Sequence, residues 1–278
     1  MIILLLMLLM FDFSYADAAV SNALSVVDDL VAVQQGNLPI ILSAPHGGYR
    51  TIPDVPARRG IGVRQFVTQR DNNTAELTRL IAIKLSAQLG AAPFTVIAEF
   101  ERKYVDANRA AANAYESAAA KYYYDAYHRA LADVAERLRR QWGFGIWFDI
   151  HGQSAENAGI YRGTDNRKSV VALERRSGSQ ALIGPKSVFG QLQAEGYKVF
   201  PALGEQGRET LYAGGFTTQT YGSHRGTAID VMQLELGGDL RKKAALDRTA
   251  ADLAQAIESF AKEYLPLAPA VSRDAAGR

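Results

Sequence analysis

The 278-residue chain has four histidines, and two of them, His46 and His151, share one setting: each ends an apolar run and is followed by glycine. Ile40-Ile41-Leu42-Ser43-Ala44-Pro45 leads to His46-Gly47-Gly48, and Trp147-Phe148-Asp149-Ile150 leads to His151-Gly152. Such runs read as buried strands, and open α/β sheets place their ligands at the carboxyl ends of strands. Catalytic zinc sites take three protein ligands from His, Asp and Glu and keep one position for water. Two strand-end histidines therefore point to one metal centre built from both. No His-Glu-x-x-His is present, so the ligands have to be gathered from separate elements.

The third ligand is expected to be a carboxylate. Asp71, in Gln69-Arg70-Asp71-Asn72-Asn73-Thr74, opens a helix. The plain reading is a helix cap, which leaves one oxygen for a metal. Asp149 is the alternative: two residues before His151, it shares that face of the strand and could ligate or orient the histidine from behind. Glu235, in Met232-Gln233-Leu234-Glu235-Leu236, is an acid inside an apolar strand. Burial raises a carboxyl pKa toward the range useful to a general base, although a structural arginine could equally hold it. Asn108-Arg109 supplies a planar two-pronged grip for a carboxylate or oxyanion, against the plain reading of a surface charge. His224-Arg225, inside the glycine-rich residues 204–226, is a second anion-binding candidate. His128 sits mid-helix among tyrosines and reads as structural. Ser43 and Ser154 flank the histidines, but neither lies in a Gly-x-Ser-x-Gly elbow, and no phosphate loop is present.

The elements that must carry these residues alternate between strand and helix. Strands are expected at 38–44, 94–98, 146–150, 159–163, 198–201 and 229–236, with a short opening strand between 19 and 35. Residues 49–67, with Pro53, Pro56, Gly60 and Gly62, form a long loop. Helices are expected at 71–89, 110–140 with a break near Ser117, 186–195 and 240–264, with Asp71 or Asn72 capping the first and Gly90 closing it. That alternation predicts an α/β fold with a mostly parallel sheet and helices on its faces.

Length fits one domain, since α/β folds often run to about 250 residues undivided. The formal net charge of +2 includes no Lys/Arg block, which argues against a nucleic-acid binder. Without cysteine there are no disulfides and no thiolate chemistry. Residues 2–11 are aliphatic and lead to Ala16-Asp17-Ala18, the pattern of a secretory signal peptide. The expected organisation is a signal peptide over 1–18, one domain over 19–265 and a disordered tail over 266–278. The mature protein would be secreted or periplasmic, with no transmembrane span.

Pro45-His46-Gly47-Gly48, Arg70-Asp71-Asn72-Asn73-Thr74, Val105-Asp106-Ala107-Asn108-Arg109, Asp149-Ile150-His151-Gly152 and Gln233-Leu234-Glu235-Leu236 occur in the order seen in N-formylglutamate amidohydrolase-like proteins, which the chain resembles from about residue 38 to the final helix. That family is related in fold to zinc carboxypeptidases and aspartoacylases. The resemblance implies a zinc exopeptidase-like three-layer sandwich, a mixed sheet between helices. It implies a zinc-dependent amidohydrolase with His46, Asp71 and His151 as metal ligands and Glu235 as general base. Asn108 and Arg109 would grip an acidic small-molecule or peptide substrate. Zinc carboxypeptidases carry a glutamate ligand three residues after the first histidine, where this chain has Tyr49; Asp71, ahead of Asp149, would take its place. Export departs from a cytosolic role in histidine breakdown, so an N-acyl amino acid or short peptide is the expected substrate. The alternatives are an inactive binding protein that grips an anion with Arg58, Arg59 and Arg64, and a zinc carboxypeptidase acting on peptides.

Overall fold

Side chains along a strand alternate between the two faces of a sheet, and β5 (Gly145–Gly152) uses that alternation to divide apolar from polar groups. Ile146, Phe148 and Ile150 enter one hydrophobic core, while Trp147 enters the other, on the face that Asp149 and His151 share. The neighbouring β8 (Ile229–Leu236) repeats the division: Met232, Leu234 and Leu236 go one way, Val231, Gln233 and Glu235 the other. The two strands are parallel and in register, with Asp149 opposite Gln233 and His151 opposite Glu235. Polar groups thus gather at one end of one face.

A computed structural model describes residues 24–27, 30–204 and 207–269. Among them the remaining strands are β1 (Leu24–Val27), β2 (Val31–Gln34), β3 (Ile40–Ala44), β4 (Phe94–Ala98), β6 (Gly159–Gly163) and β7 (Lys198–Phe200). All eight form one sheet in the order β1-β2-β4-β3-β5-β8-β6-β7. The block β4-β3-β5-β8 is parallel. An antiparallel β1–β2 pair extends one edge, and β6, antiparallel to β8, carries the parallel β7 at the other.

The helices are α1 (Thr74–Leu89), α2 (Ala111–Ala114), α3 (Ala118–Trp142), α4 (Val171–Ser177), α5 (Gln180–Ile183), α6 (Val188–Ala194), α7 (Phe216–Tyr221) and α8 (Leu246–Tyr264). α1, α6 and α8 seal one face of the sheet. α3 covers the other with Tyr124, Tyr127, Leu131, Val134, Leu138 and Trp142, a stripe at helical spacing. The mixed, mostly parallel sheet between helical layers is the expected fold class. The break before α3 falls where Ser117 caps the helix, its hydroxyl accepting from the Ala120 amide at 3.2 Å.

Two local expectations, the cap of α1 and the start of α8, need correction. Neither Asp71 nor Asn72 caps α1; the cap is Asn73, with φ of 64° and no side-chain bond, because the Asp71 carboxylate is turned into the site. Residues 204–226 hold α7 and a short 3-10 turn at Ser223–Arg225. α8 begins at Leu246, since Asp239–Arg241 forms a separate 3-10 turn. The expected signal peptide lies outside the described residues, as does the tail beyond residue 269. Among the described residues no helix is long and apolar enough to cross a membrane.

Candidate metal centre

His46 follows β3 and is only 2% exposed. Its position depends on Gly47: a Cβ there would lie 2.3 Å from the Ala75 amide nitrogen, so only glycine lets the chain cross the first turn of α1. The imidazole Nε2 is 2.7 Å from Asp106 Oδ1. The opposite ring nitrogen, Nδ1, is buried without a hydrogen-bond partner, and faces Asp71 Oδ2 at 3.5 Å. His151, at the end of β5, repeats the arrangement. Its Nε2 is 3.0 Å from Asp149 Oδ2, and its Nδ1 is 3.2 Å from the same Asp71 oxygen.

His46, Asp71 and His151 therefore converge on one point, their ligand atoms all within 4.8 Å of one another. Bonds of about 2.0–2.1 Å in a tetrahedral zinc site put neighbouring ligand atoms roughly 3.3 Å apart. The observed 3.5 and 3.2 Å bracket that edge. Each histidine aims Nδ1 inward and rests Nε2 on a carboxylate, the support that fixes tautomer and orientation in metal sites. The orphaned Nδ1 of His46 and the two-nitrogen, one-oxygen donor set fit a zinc ion.

Electrostatics point the same way. Burial opposes charge on both Asp71 and Asp106, yet His46 near each, with His151 beside Asp71 and Arg102 beside Asp106, outweighs it and holds both carboxyls well below the usual range. Burial also opposes charge on His151, but Asp149 and Asp71 overcome it and raise the imidazole to about 10. Three anions surround two imidazoles, an environment that favours a cation between them.

Asp149 stands behind the ligands and is fully buried. Its second oxygen accepts from the Ser43 hydroxyl, which itself accepts from Trp147 Nε1 at 2.6 Å. Ser43 thus orients a carboxylate. Asp106 is anchored by Arg102 through Nε at 3.0 Å and a terminal nitrogen at 2.9 Å. Glu235, 7% exposed, accepts from Gln233 Nε2 at 2.6 Å. Burial raises its carboxyl to about 7, with Asp71 adding to the rise and His151 opposing it.

The centre opens into a cleft of about 600 Å³ lined by Arg70, Arg102, Arg109, Arg241, Gln69, Gln153, Ser154 and residues 211–215. Arg109 stands in it. Asn108 reaches it too, but its amide is turned to the protein: Oδ1 accepts from the Thr217 amide and hydroxyl, and Nδ2 lies 3.5 Å from Gln233 Oε1. Asn108 therefore braces the site. His224 and Arg225 are absent from the cleft. They precede the first residue of β8, whereas Glu235 lies near its end, about 20 Å along a strand that rises roughly 3.3 Å per residue. Arg58, in the loop offered as an anion grip, is buried and donates to the Val67 and Arg102 carbonyls.

The sequence reading gave no role to Asp106, Arg102, Arg241 or Tyr212. The spacing Arg102-x-x-x-Asp106 was a usable signal, since an i, i+4 pair of opposite charge in a charge-dense irregular segment asks for a shared purpose. Arg241 had no such signal. It donates to the carbonyls of Leu236, Asn72 and Gln153 and so ties together the ends of β8, the loop before α1 and the end of β5. Gly152 makes room for it, since a Cβ there would meet the guanidinium carbon at 2.4 Å.

A mixed α/β sheet thus brings two strand-end histidines and the Asp71 carboxylate to one point that could hold a metal ion. No protein-family model matches the chain, and no curated relative matches it. Solved structures do. N-formylglutamate amidohydrolase from Ralstonia eutropha JMP134 superposes with a TM-score of 0.56 at 16% identity, over 84% of this chain and 98% of that one. A gene product from Agrobacterium tumefaciens superposes with a TM-score of 0.53 at 15% identity, over 84% and 93%. At these identities the likeness establishes a shared fold.

Proposed function

We propose that the protein is an exported, zinc-dependent hydrolase that cleaves the C–N amide bond of an N-acyl amino acid or short peptide carrying an acidic group. The carrying observation is the pair of buried imidazoles, each with Nε2 on a carboxylate and Nδ1 turned toward Asp71. Export rests on the apolar leader over residues 1–18. The fold shared with an amidohydrolase supports the reaction class.

His46, Asp71 and His151 would hold the zinc, which when bound polarises the amide carbonyl and lowers the pKa of water. Glu235, poised near 7, accepts the proton of the attacking water and returns it to the leaving nitrogen. Gln233 holds one oxygen of that carboxylate and leaves the other for the transfer. Formal charge decides the substrate's sign. Asp71, Asp106 and Asp149 bring three negative charges, and Arg102 with a divalent ion brings three positive. Arg70, Arg109 and Arg241 then face Glu235 alone across the cleft, an excess of cations that favours an anionic substrate. Arg109, partly exposed and with one terminal nitrogen donating to the Asn108 carbonyl at 3.0 Å, is the residue for the carboxylate.

Glu235→Gln is expected to lower kcat by about 100-fold or more while zinc content stays at one per chain. Metal analysis of the folded, metal-supplied protein and product analysis with N-acyl amino acids test this. A zinc-free protein, or full activity in that variant, contradicts it.

A further inference from the structure

The arginine cleft has one wall of a different kind. Leu211 and Tyr212 line it, and Leu211 is 58% exposed although it is a large aliphatic side chain. The same two residues also line a recess of about 100 Å³, walled by Tyr161, Phe200 and Pro201 with Arg162, Arg208, Glu209 and Thr210. There the Tyr161 and Phe200 rings stack with centroids 4.5 Å apart, and Tyr212 meets Tyr161 edge-on at 5.0 Å. Tyr161 pairs with Glu235 across β6 and β8, so this aromatic recess begins one strand from the proposed general base.

The wall is held in place. Glu209, buried, accepts from Arg162 Nε at 2.8 Å, from the Thr164 amide and hydroxyl, and from the Asn166 amide. The Asn166 side chain returns a bond to the Glu209 amide at 2.9 Å. At the other end the Gly215 amide donates to Gln233 Oε1 at 2.8 Å, the residue that also holds Glu235. The charges of Arg162 and Glu209 neutralise each other, so the recess presents its aromatic and aliphatic groups together with the exposed cation of Arg208. An exposed leucine and three aromatic rings beside a cationic cleft match a ligand with a carboxylate at one end and an apolar side chain next to it.

We infer that Leu211 and Tyr212 form an apolar specificity subsite, so that the preferred substrate is an acylated amino acid with an aromatic or branched aliphatic side chain. This rests on the hydrolase reading above and adds the substrate class. A pocket that takes such a group discriminates by about 10-fold or more against a ligand lacking it. The test is binding of N-acetylphenylalanine and N-acetylglycine to zinc-loaded Glu235→Gln protein by calorimetry, alongside turnover of both by the native enzyme. N-acetylphenylalanine is expected to bind at least about 10-fold tighter, and the added substitution Leu211→Ser to cut that preference to about 3-fold or less. Leu211 is exposed, so this substitution leaves the core intact; Tyr212→Ala gives a second reading of the same wall. Equal affinity for the two compounds, or a preference untouched by both substitutions, overturns the subsite while leaving the hydrolase reading standing. Binding and cleavage of neither compound overturns both.

Discussion

Asp106 and Asp149 are the residues on which the metal reading can be separated from mere packing. Each accepts from the outer nitrogen of one imidazole, and neither faces Asp71 as a ligand would. Asp106→Asn and Asp149→Asn keep the shape and remove the charge. Each is expected to weaken zinc binding by about 10- to 100-fold, measured by competition with a chromogenic chelator. Unchanged affinity in both variants would show that the carboxylates only fill space. Ser43→Ala is a finer probe, because Ser43 touches Asp149 and not the histidine. A loss smaller than that of Asp149→Asn is expected in the same assay, and a loss equal to it contradicts the order of support. Much of this was legible in the sequence: two His-Gly strand ends and an acid two residues before one of them. Alternation placed Asp149 on the face of His151. The choice of Asp71 as the inward carboxylate came from the family resemblance. Arg102 was legible only through its i, i+4 spacing to Asp106, and Arg241 not at all, because its partners are carbonyls brought near only by the fold.

At the scale of elements, α3 carries an independent check on packing through His128. Its Nδ1 meets the Tyr221 hydroxyl at 2.8 Å, and its ring packs on Tyr124 and Phe216, joining α3 to α7. Burial lowers its pKa to about 4. The unfolded chain, with histidine near 6.5, binds that proton more readily, so His128 costs nothing above pH 7 and destabilises the fold progressively as pH falls from 6.5 toward 4. Between pH 7.5 and 5 this amounts to about 2 kcal/mol. His128→Phe should show a loss of stability smaller by that amount over the same interval, read from urea unfolding at the two pH values. Identical pH dependence in the two proteins would refute the assignment. Long elements with a clear period, such as α3 and β8, were readable in advance because a stripe or a row of apolar residues recurs. α4, α5 and α7 were not, since helices of seven, four and six residues span too few turns to show a stripe. The start of α1 was misread because Asp71 serves the site in place of the cap.

At the scale of the whole molecule, the proposed metal centre would join parts distant in sequence. His46 follows β3, Asp71 ends the loop before α1, and His151 closes β5. Ligation would therefore span the central strands and the loop that leads into α1, and zinc at 100 times its dissociation constant would add about 2.7 kcal/mol to folding. Removing it with a chelator is expected to lower the melting temperature by several degrees and restoring it to recover the value; an unmoved transition contradicts tight binding of the ion to the folded chain. The central claim is the identity of the three ligands, and the most direct measurement is a crystal of the zinc-supplied protein with anomalous data on both sides of the zinc absorption edge. One peak bonded to His46 Nδ1, Asp71 and His151 Nδ1 is the result expected; no peak there, or a peak held by other side chains, contradicts it.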